Sequence, residues 1–151
     1  MHIYILAAGK GSRLFPLTET KPKCLLDVRG QSILQRQIAS LLAAGAGKRD
    51  ITVIGGYRFE ALRAAMPAGV GALRNPEFER CNNIYTITLP PAGTGPVAIL
   101  NGDCVCHPAI YEAFLGTAHD IPGSPIYYNS ATRPPTVGVT AAYRFGGAAS
   151  R

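Results

Sequence analysis

The apolar run Ile3 to Ala8 breaks abruptly into Gly9-Lys10-Gly11-Ser12-Arg13-Leu14-Phe15-Pro16-Leu17-Thr18, and Lys21-Pro22-Lys23-Cys24-Leu25-Leu26 follows. A short continuous apolar run suits a strand buried on both faces. A strand that empties into a glycine loop presents backbone N–H groups to an anion, and small residues let a phosphate approach the main chain. Arg13 and Lys23 stand at fixed distances beyond the loop, where they would neutralise a polyphosphate. The pattern points to a site for nucleoside triphosphates at the end of the first strand.

Strand and helix patterns alternate through the rest of the chain. Ser32 to Ala44 reads as a helix: Ser32 can cap its start, Ile33, Leu34, Ile38, Leu41 and Leu42 repeat near helical spacing, and Gly45 or Gly47 can end it. Ile51 to Ile54 reads as a second buried strand, stopped by Gly55-Gly56. Phe59 to Met66 reads as a short helix, Val70 to Arg74 as a third strand and Cys81 to Leu89 as a helix. Val97 to Leu100 is the fourth strand, ending at Asn101-Gly102-Asp103, and Pro108 opens a helix through Ala118. This alternation predicts an α/β fold with a mostly parallel sheet. Ligands in such folds sit beyond the carboxyl ends of the strands, and both the Gly9 to Arg13 loop and Asp103 follow strand ends.

A chain of 151 residues, 47% hydrophobic, is long enough for one domain with a real core. No apolar run approaches the ~20 residues of a membrane helix. Met1-His2-Ile3-Tyr4 lacks the basic stretch of a signal peptide, so a soluble cytoplasmic protein is expected. The net charge of +6 suits an anionic ligand, but the basic residues are scattered without a Lys/Arg block, and nucleic acid is not expected. Cys24, Cys81, Cys104 and Cys106 form no C-x-x-C pair, which argues against zinc. Cys104 and Cys106 are expected on one face of a strand as small hydrophobes, with His107 in a loop.

Character changes after Asp120. Residues Ile121 to Arg151 contain no Asp, Glu or Leu, and Pro122, Pro125, Pro134 and Pro135 crowd the segment. Only Thr136 to Tyr143 looks strand-like. Two domain segments are therefore expected: a nucleotide-binding core over residues 1–120 and an atypical tail over residues 121–151. The tail reads either as an edge hairpin or flexible end, or as sequence left by truncation or a shifted frame.

Three phosphate loops compete for the opening segment. Gly9-Lys10-Gly11-Ser12 does not supply the spacing of a P-loop. A dinucleotide fingerprint lacks its third glycine, because position 14 is Leu, and Pro16 and Pro22 would interrupt the helix that should follow. The third candidate fits residue for residue. Leu6-Ala7-Ala8-Gly9-x-Gly11-x-Arg13-Leu14-x-Pro16-Leu17-Thr18, then Lys21-Pro22-Lys23-x-Leu25-Leu26-x-Val28-x-Gly30, resembles the signature of the nucleotidyltransferase superfamily that activates sugar 1-phosphates and related phosphate monoesters. The likeness extends through Asn101-Gly102-Asp103. Asn75-Pro76-x-Phe78 and Cys81-Asn82-Asn83-Ile84-Tyr85 look like the branch that holds the bacterial choline-phosphate cytidylyltransferases.

The resemblance implies a Rossmann-like three-layer sandwich and transfer of a nucleoside monophosphate from a triphosphate, CTP or UTP favoured, to a sugar 1-phosphate or choline phosphate with release of pyrophosphate. It implies Mg²⁺ held by Asp103. Arg13 would hold the β- and γ-phosphates, and Lys23 would meet the α-phosphate or the acceptor. Leu6, Ala7 and Ala8 would line the base and ribose pocket, with Gly9, Lys10, Gly11, Ser12 and Gly102 along the nucleotide. Asn82 and Asn83 would offer amides to a pyrimidine edge, or serve only as a helix cap or turn.

One departure stands out. Members of that superfamily are longer and supply a second metal-binding aspartate from their later half, and no Asp follows Asp120 here. The metal site is expected to be half built and the fold truncated. A non-catalytic nucleotide-binding module, completed by a partner chain or not at all, is the rival reading, and self-association as a homo-oligomer stays open. A dinucleotide-dependent oxidoreductase is disfavoured by Leu14 and Pro16.

Overall fold

β1 (His2–Ala7) lies in the middle of the sheet, flanked on both sides by strands that occur later in the chain. The computed structural model describes residues 1–80, 83–90, 97–117 and 142–143. After β1 come two 3-10 turns, Ser12–Leu14 and Lys23–Leu25, and a small hairpin of β2 (Asp27–Val28) and β3 (Gln31–Ser32). Then follow α1 (Ile33–Ala43), β4 (Ile51–Gly55), α2 (Phe59–Ala64), β5 (Gly71–Arg74), α3 (Asn83–Thr88), β6 (Val97–Asn101), α4 (Pro108–Thr117) and β7 (Ala142–Tyr143).

The strand order is β5-β4-β1-β6-β7. β5, β4, β1 and β6 are mutually parallel, and β7 runs antiparallel to β6, with Val97 opposite Tyr143. Right-handed crossovers explain the layers. The steps from β1 to β4 and from β4 to β5 go the same way, so α1 and α2 fall on one face. The step back to β6 reverses direction and carries α3 to the other face. Packing agrees: Leu34, Ile38 and Leu41 of α1, Leu62 of α2 and Tyr111 and Phe114 of α4 share a core with Ile3, Ile5, Ile51, Val53, Ala98 and Leu100. On the opposite face Ile87 of α3 packs with Tyr4, Leu6 and Ile54. The expected three-layer α/β sandwich is the fold observed.

Local chemistry sets the boundaries. α1 begins in a capping box: Ser32 Oγ accepts from the Gln35 N–H at 3.2 Å, and Gln35 Oε1 accepts from the Ser32 N–H at 3.1 Å. It ends at Gly45, whose φ of +98° lets Gly45 N–H reach Leu42 O and Ala46 N–H reach Leu41 O. Each cap contributes about 1 kcal/mol. The expected strands and helices are all present with ends shifted by a few residues, except in two places. Cys104 and Cys106 do not lie on a strand: β6 ends at Asn101, the turn at Gly102-Asp103 takes the chain off the sheet, and both thiols sit in the loop before α4. Of the strand expected over Thr136 to Tyr143, Ala142 and Tyr143 pair with β6, and the remainder lies outside the described residues.

Candidate functional site

The direction of strand succession reverses between β1 and β6, so their carboxyl ends splay away from a crevice where ligands of open parallel sheets bind. A cleft of about 220 Å³ occupies that place, lined by Leu6, Ala7, Gly9, Lys23, Cys24, Asn101, Gly102 and Asp103. Its two strand ends are clamped together. Gly102 N–H donates to Leu6 O at 2.8 Å, and a Cβ at Gly102 would meet that oxygen at 2.8 Å and Ala7 Cβ at 3.0 Å. Only glycine permits the contact.

The loop after β1 is held from inside. Gly11 adopts φ +64°, and a Cβ there would sit 3.1 Å from Lys23 Cβ. Its carbonyl accepts from Leu14 N–H at 2.9 Å and from the hydroxyl of Thr18, a fully buried residue, also at 2.9 Å. Among the described residues, no hydrogen bond takes up the N–H groups of Lys10, Gly11 or Ser12, which leaves them as donors for an anion. Pro22, buried and extended, precedes Lys23 and accepts from Leu25 N–H at 2.9 Å. Farther along, Tyr57 Oη donates to Glu19 O at 2.5 Å and Arg58 to the same oxygen at 3.2 Å, tying the loop to the end of β4.

Two of the loop's cations are matched by carboxylates. Lys23 Nζ lies 2.8 Å from Asp103 Oδ2, the two side chains being 38% and 45% exposed. Lys10 Nζ lies 2.6 Å from Glu79 Oε1 on the segment between β5 and α3, and that hydrogen bond lowers the Glu79 pKa. Arg13 is exposed in the Ser12–Leu14 turn. Cys24 forms part of the cleft floor, and burial pushes its thiol up to about 12, so it is a neutral thiol and not a nucleophile at physiological pH. Cys104 accompanies it at about 11, raised by burial and by the neighbouring Asp103 carboxylate.

Leu6, Ala7, Gly9, Lys23, Gly102 and Asp103, expected at the site, come together in the cleft. Gly11 shapes the loop from behind Lys23, and Ser12 and Arg13 form the outward turn. Ala8 is buried beneath, its carbonyl accepting from Tyr57 N–H at 3.0 Å. Lys10 reaches Glu79. Asn83 opens α3, and Asn82 lies outside the described residues. The sequence gives no site role to two buried polar residues, Gln37 and the Asn75 of the Asn75-Pro76-x-Phe78 pattern. Asn75, wholly buried, donates through Nδ2 to Thr86 Oγ1 at 3.0 Å and accepts from Glu77 N–H at 2.9 Å, fixing the approach to α3. Gln37 sits on the apolar face of α1 and bonds to Asn101 at 3.1 Å. An amide where helical spacing demands a hydrophobe was the available signal for Gln37.

A single Asp103 carboxylate and a phosphate chain form a chemically suitable set for a divalent cation, which commonly takes one or two carboxylates and completes its shell with phosphate oxygens and water. The Lys23 ammonium already places a positive group against that oxygen. Among the described residues, no group of three or more His, Cys, Asp or Glu could hold a metal alone. No helix among them is long and apolar enough to cross a membrane.

Doubly wound topology and a glycine-rich cleft at the strand reversal define an α/β protein with its ligand crevice at the topological switch point. The chain belongs to the family of the MobA-like NTP transferase domain, whose model matches residues 3–145. It is 34% identical over 128 residues to the N-acetylmuramate alpha-1-phosphate uridylyltransferase of Neisseria meningitidis serogroup B, covering 81% of this chain and 54% of that protein. It is 32% identical over 160 residues to the mannose-1-phosphate guanyltransferase of Schizosaccharomyces pombe, covering 95% of this chain and 41% of that protein. The solved structure of the CTP:phosphocholine cytidylyltransferase from Streptococcus pneumoniae superimposes with a TM-score of 0.54 at 31% identity, over 68% of this chain and 44% of that one. The chain thus spans about half or less of the length of these relatives.

Proposed function

We propose that the cleft between β1 and β6 binds a nucleoside triphosphate, CTP or UTP, with Mg²⁺, and that the chain serves transfer of the nucleoside monophosphate to a small phosphate monoester such as a sugar 1-phosphate or choline phosphate, releasing pyrophosphate. Residues 1–120 form the nucleotide-binding core of this reading. The observation that carries it is the meeting of the glycine loop, Lys23 and Asp103 at the strand reversal.

The acceptor needs no general base. A phosphate monoester has a second pKa of about 6 and is largely dianionic at neutral pH, so its oxygen is already a nucleophile. The barrier lies in bringing anions together in line with the α-phosphorus. The N–H groups of Lys10, Gly11 and Ser12 bind phosphate oxygens. Arg13 holds the β- and γ-phosphates and stabilises the departing pyrophosphate. Lys23 offsets charge that builds at the α-phosphate. Leu6, Ala7 and Ala8 shape the base and ribose side, Gly9 and Gly102 leave room, and Asn82 and Asn83 recognise the base. Asp103 supplies the protein oxygen for Mg²⁺. The bound cation would neutralise phosphate charge.

Pyrophosphate release tests this, measured with CTP, UTP, GTP, ATP and dTTP against a panel of acceptor phosphates in Mg²⁺. Release with one pair supports it. A second reading, a nucleotide-binding module without turnover, draws on Asp103 being the sole carboxylate among the described cleft-lining residues. Saturable triphosphate binding without release from any pair would favour that module. Absence of any triphosphate binding would defeat both.

A further inference from the structure

Gln37 lies on the core face of α1 beside Leu34, Ile38 and Leu41, and only 3% of it is exposed. Its Nε2 donates to the carbonyl oxygen of Asn101, the last residue of β6, at 3.1 Å. The other end of the same peptide unit, Gly102 N–H, donates to Leu6 O at 2.8 Å. The C=O and N–H of a trans peptide point in opposite directions. This one plane is therefore fastened to α1 on one side and to β1 on the other. Gly102 is buried against β1, where an added Cβ would fall 2.8 Å from Leu6 O and 3.0 Å from Ala7 Cβ. Asp103 is the next residue, so the backbone that carries it into the cleft starts from that plane, while Lys23 holds its carboxylate at 2.8 Å.

The amide is a poor choice for core stability alone. The Gln37 amide and the Tyr111 hydroxyl of α4 are buried side by side, with Cys106 also against that hydroxyl. Leucine or methionine would fill the space without burying an amide. What a hydrophobe cannot supply is the donor to Asn101.

We propose that Gln37 is a positioning residue: it sets the direction of Asp103, through the Asn101–Gly102 peptide, for the divalent cation and phosphate chain of the cleft. The inference rests on the proposed function for its ligand and on the hydrogen bonds alone for its geometry. The test variant is Gln37→Met, which keeps length and loses the donor. Gln37→Leu is read in the same way should the methionine variant not fold.

Two measurements on the full chain separate the parts. Amide exchange followed by NMR reports Gly102 N–H directly. Its exchange should accelerate at least tenfold relative to the Ile5 and Val53 amides of the same sheet, which report global opening. Mn²⁺ binding in the presence of CTP or UTP, followed by electron paramagnetic resonance, should weaken tenfold or more, while nucleotide binding without metal stays within twofold. If Gly102 exchange only tracks Ile5 and Val53, or if Mn²⁺ affinity holds within twofold, the positioning role is overturned. If the unaltered chain binds neither Mn²⁺ nor nucleotide but Gly102 responds as stated, the peptide's fastening by Gln37 is supported and the proposed function of the cleft is the part that falls.

Discussion

Lys23 and Asp103 are separated by 80 positions, yet their charged atoms meet at 2.8 Å across the cleft. Each cancels the other while no ligand is present. Both groups are partly exposed, so the pair adds little to stability. Its consequence is for binding: a triphosphate must compete with Asp103 for Lys23, and a cation must compete with Lys23 for Asp103. A magnesium–triphosphate complex satisfies both at once. Asp103→Asn should therefore bind CTP or UTP at least as well as the unaltered chain when no divalent cation is present, and should lose the strengthening that Mg²⁺ gives. Titration calorimetry with and without Mg²⁺ checks this; a full Mg²⁺ effect in the variant would remove Asp103 from the cation's shell.

Gly9 and Gly11 should respond differently to the same change. Gly11→Ala forces a Cβ onto a residue at φ +64° and to within 3.1 Å of Lys23 Cβ. It should destabilise the fold by about 1–3 kcal/mol. Gly9 has nothing within 4 Å of a Cβ and faces the cleft. Gly9→Ala should leave the melting temperature nearly unchanged and weaken triphosphate binding. Paired thermal melts and binding isotherms read both effects.

Arg13 stands exposed on its turn, away from the core. Arg13→Ala should cost triphosphate affinity by about 1.5–3 kcal/mol, the range for a lost charge-assisted hydrogen bond, with little change in melting temperature. Lys23→Ala should abolish whatever nucleotidyl transfer the chain performs and leave it folded. Full activity in either variant would overturn the role given to that residue.

Cys24 sets an alkaline limit. Its thiol rises from an ordinary value near 9 to about 12 on folding, so the folded state holds the proton more tightly than the unfolded chain. Below pH 9 both states are protonated and stability is flat. Between pH 9 and 12 the unfolded chain loses the proton first, and stability should fall by up to about 1.4 kcal/mol per pH unit. Urea unfolding across that range should show the slope in the unaltered chain and a shallower one in Cys24→Ala. At pH 8 the native thiol should resist a disulfide reagent that labels it after unfolding.

Most of the fold was readable because local signals agreed with one another. The apolar runs at Ile3, Ile51 and Val97 and the helical spacing from Ile33 to Leu42 each named one element, and their alternation implied parallel pairing. The site's composition was readable for a different reason: glycines and cations cluster in one loop, and Asp103 follows a strand. What stayed hidden depended on contacts distant in sequence. Nothing local marks Glu79 as the partner of Lys10, or Asn101 as that of Gln37. Cys104 and Cys106 misled because alternation alone cannot tell a strand from an extended loop. The strand's end was set by Gly102, which closes onto Leu6.

The central place of β1 bears on how the molecule is made. This strand leaves the ribosome ahead of its neighbours and yet needs both: Ile51–Gly55 on one side, Val97–Asn101 on the other. Until roughly a hundred residues have been synthesised, one bare apolar edge waits for its mate. The order of the strands thus leaves β1 paired on one side alone until β6 has been made.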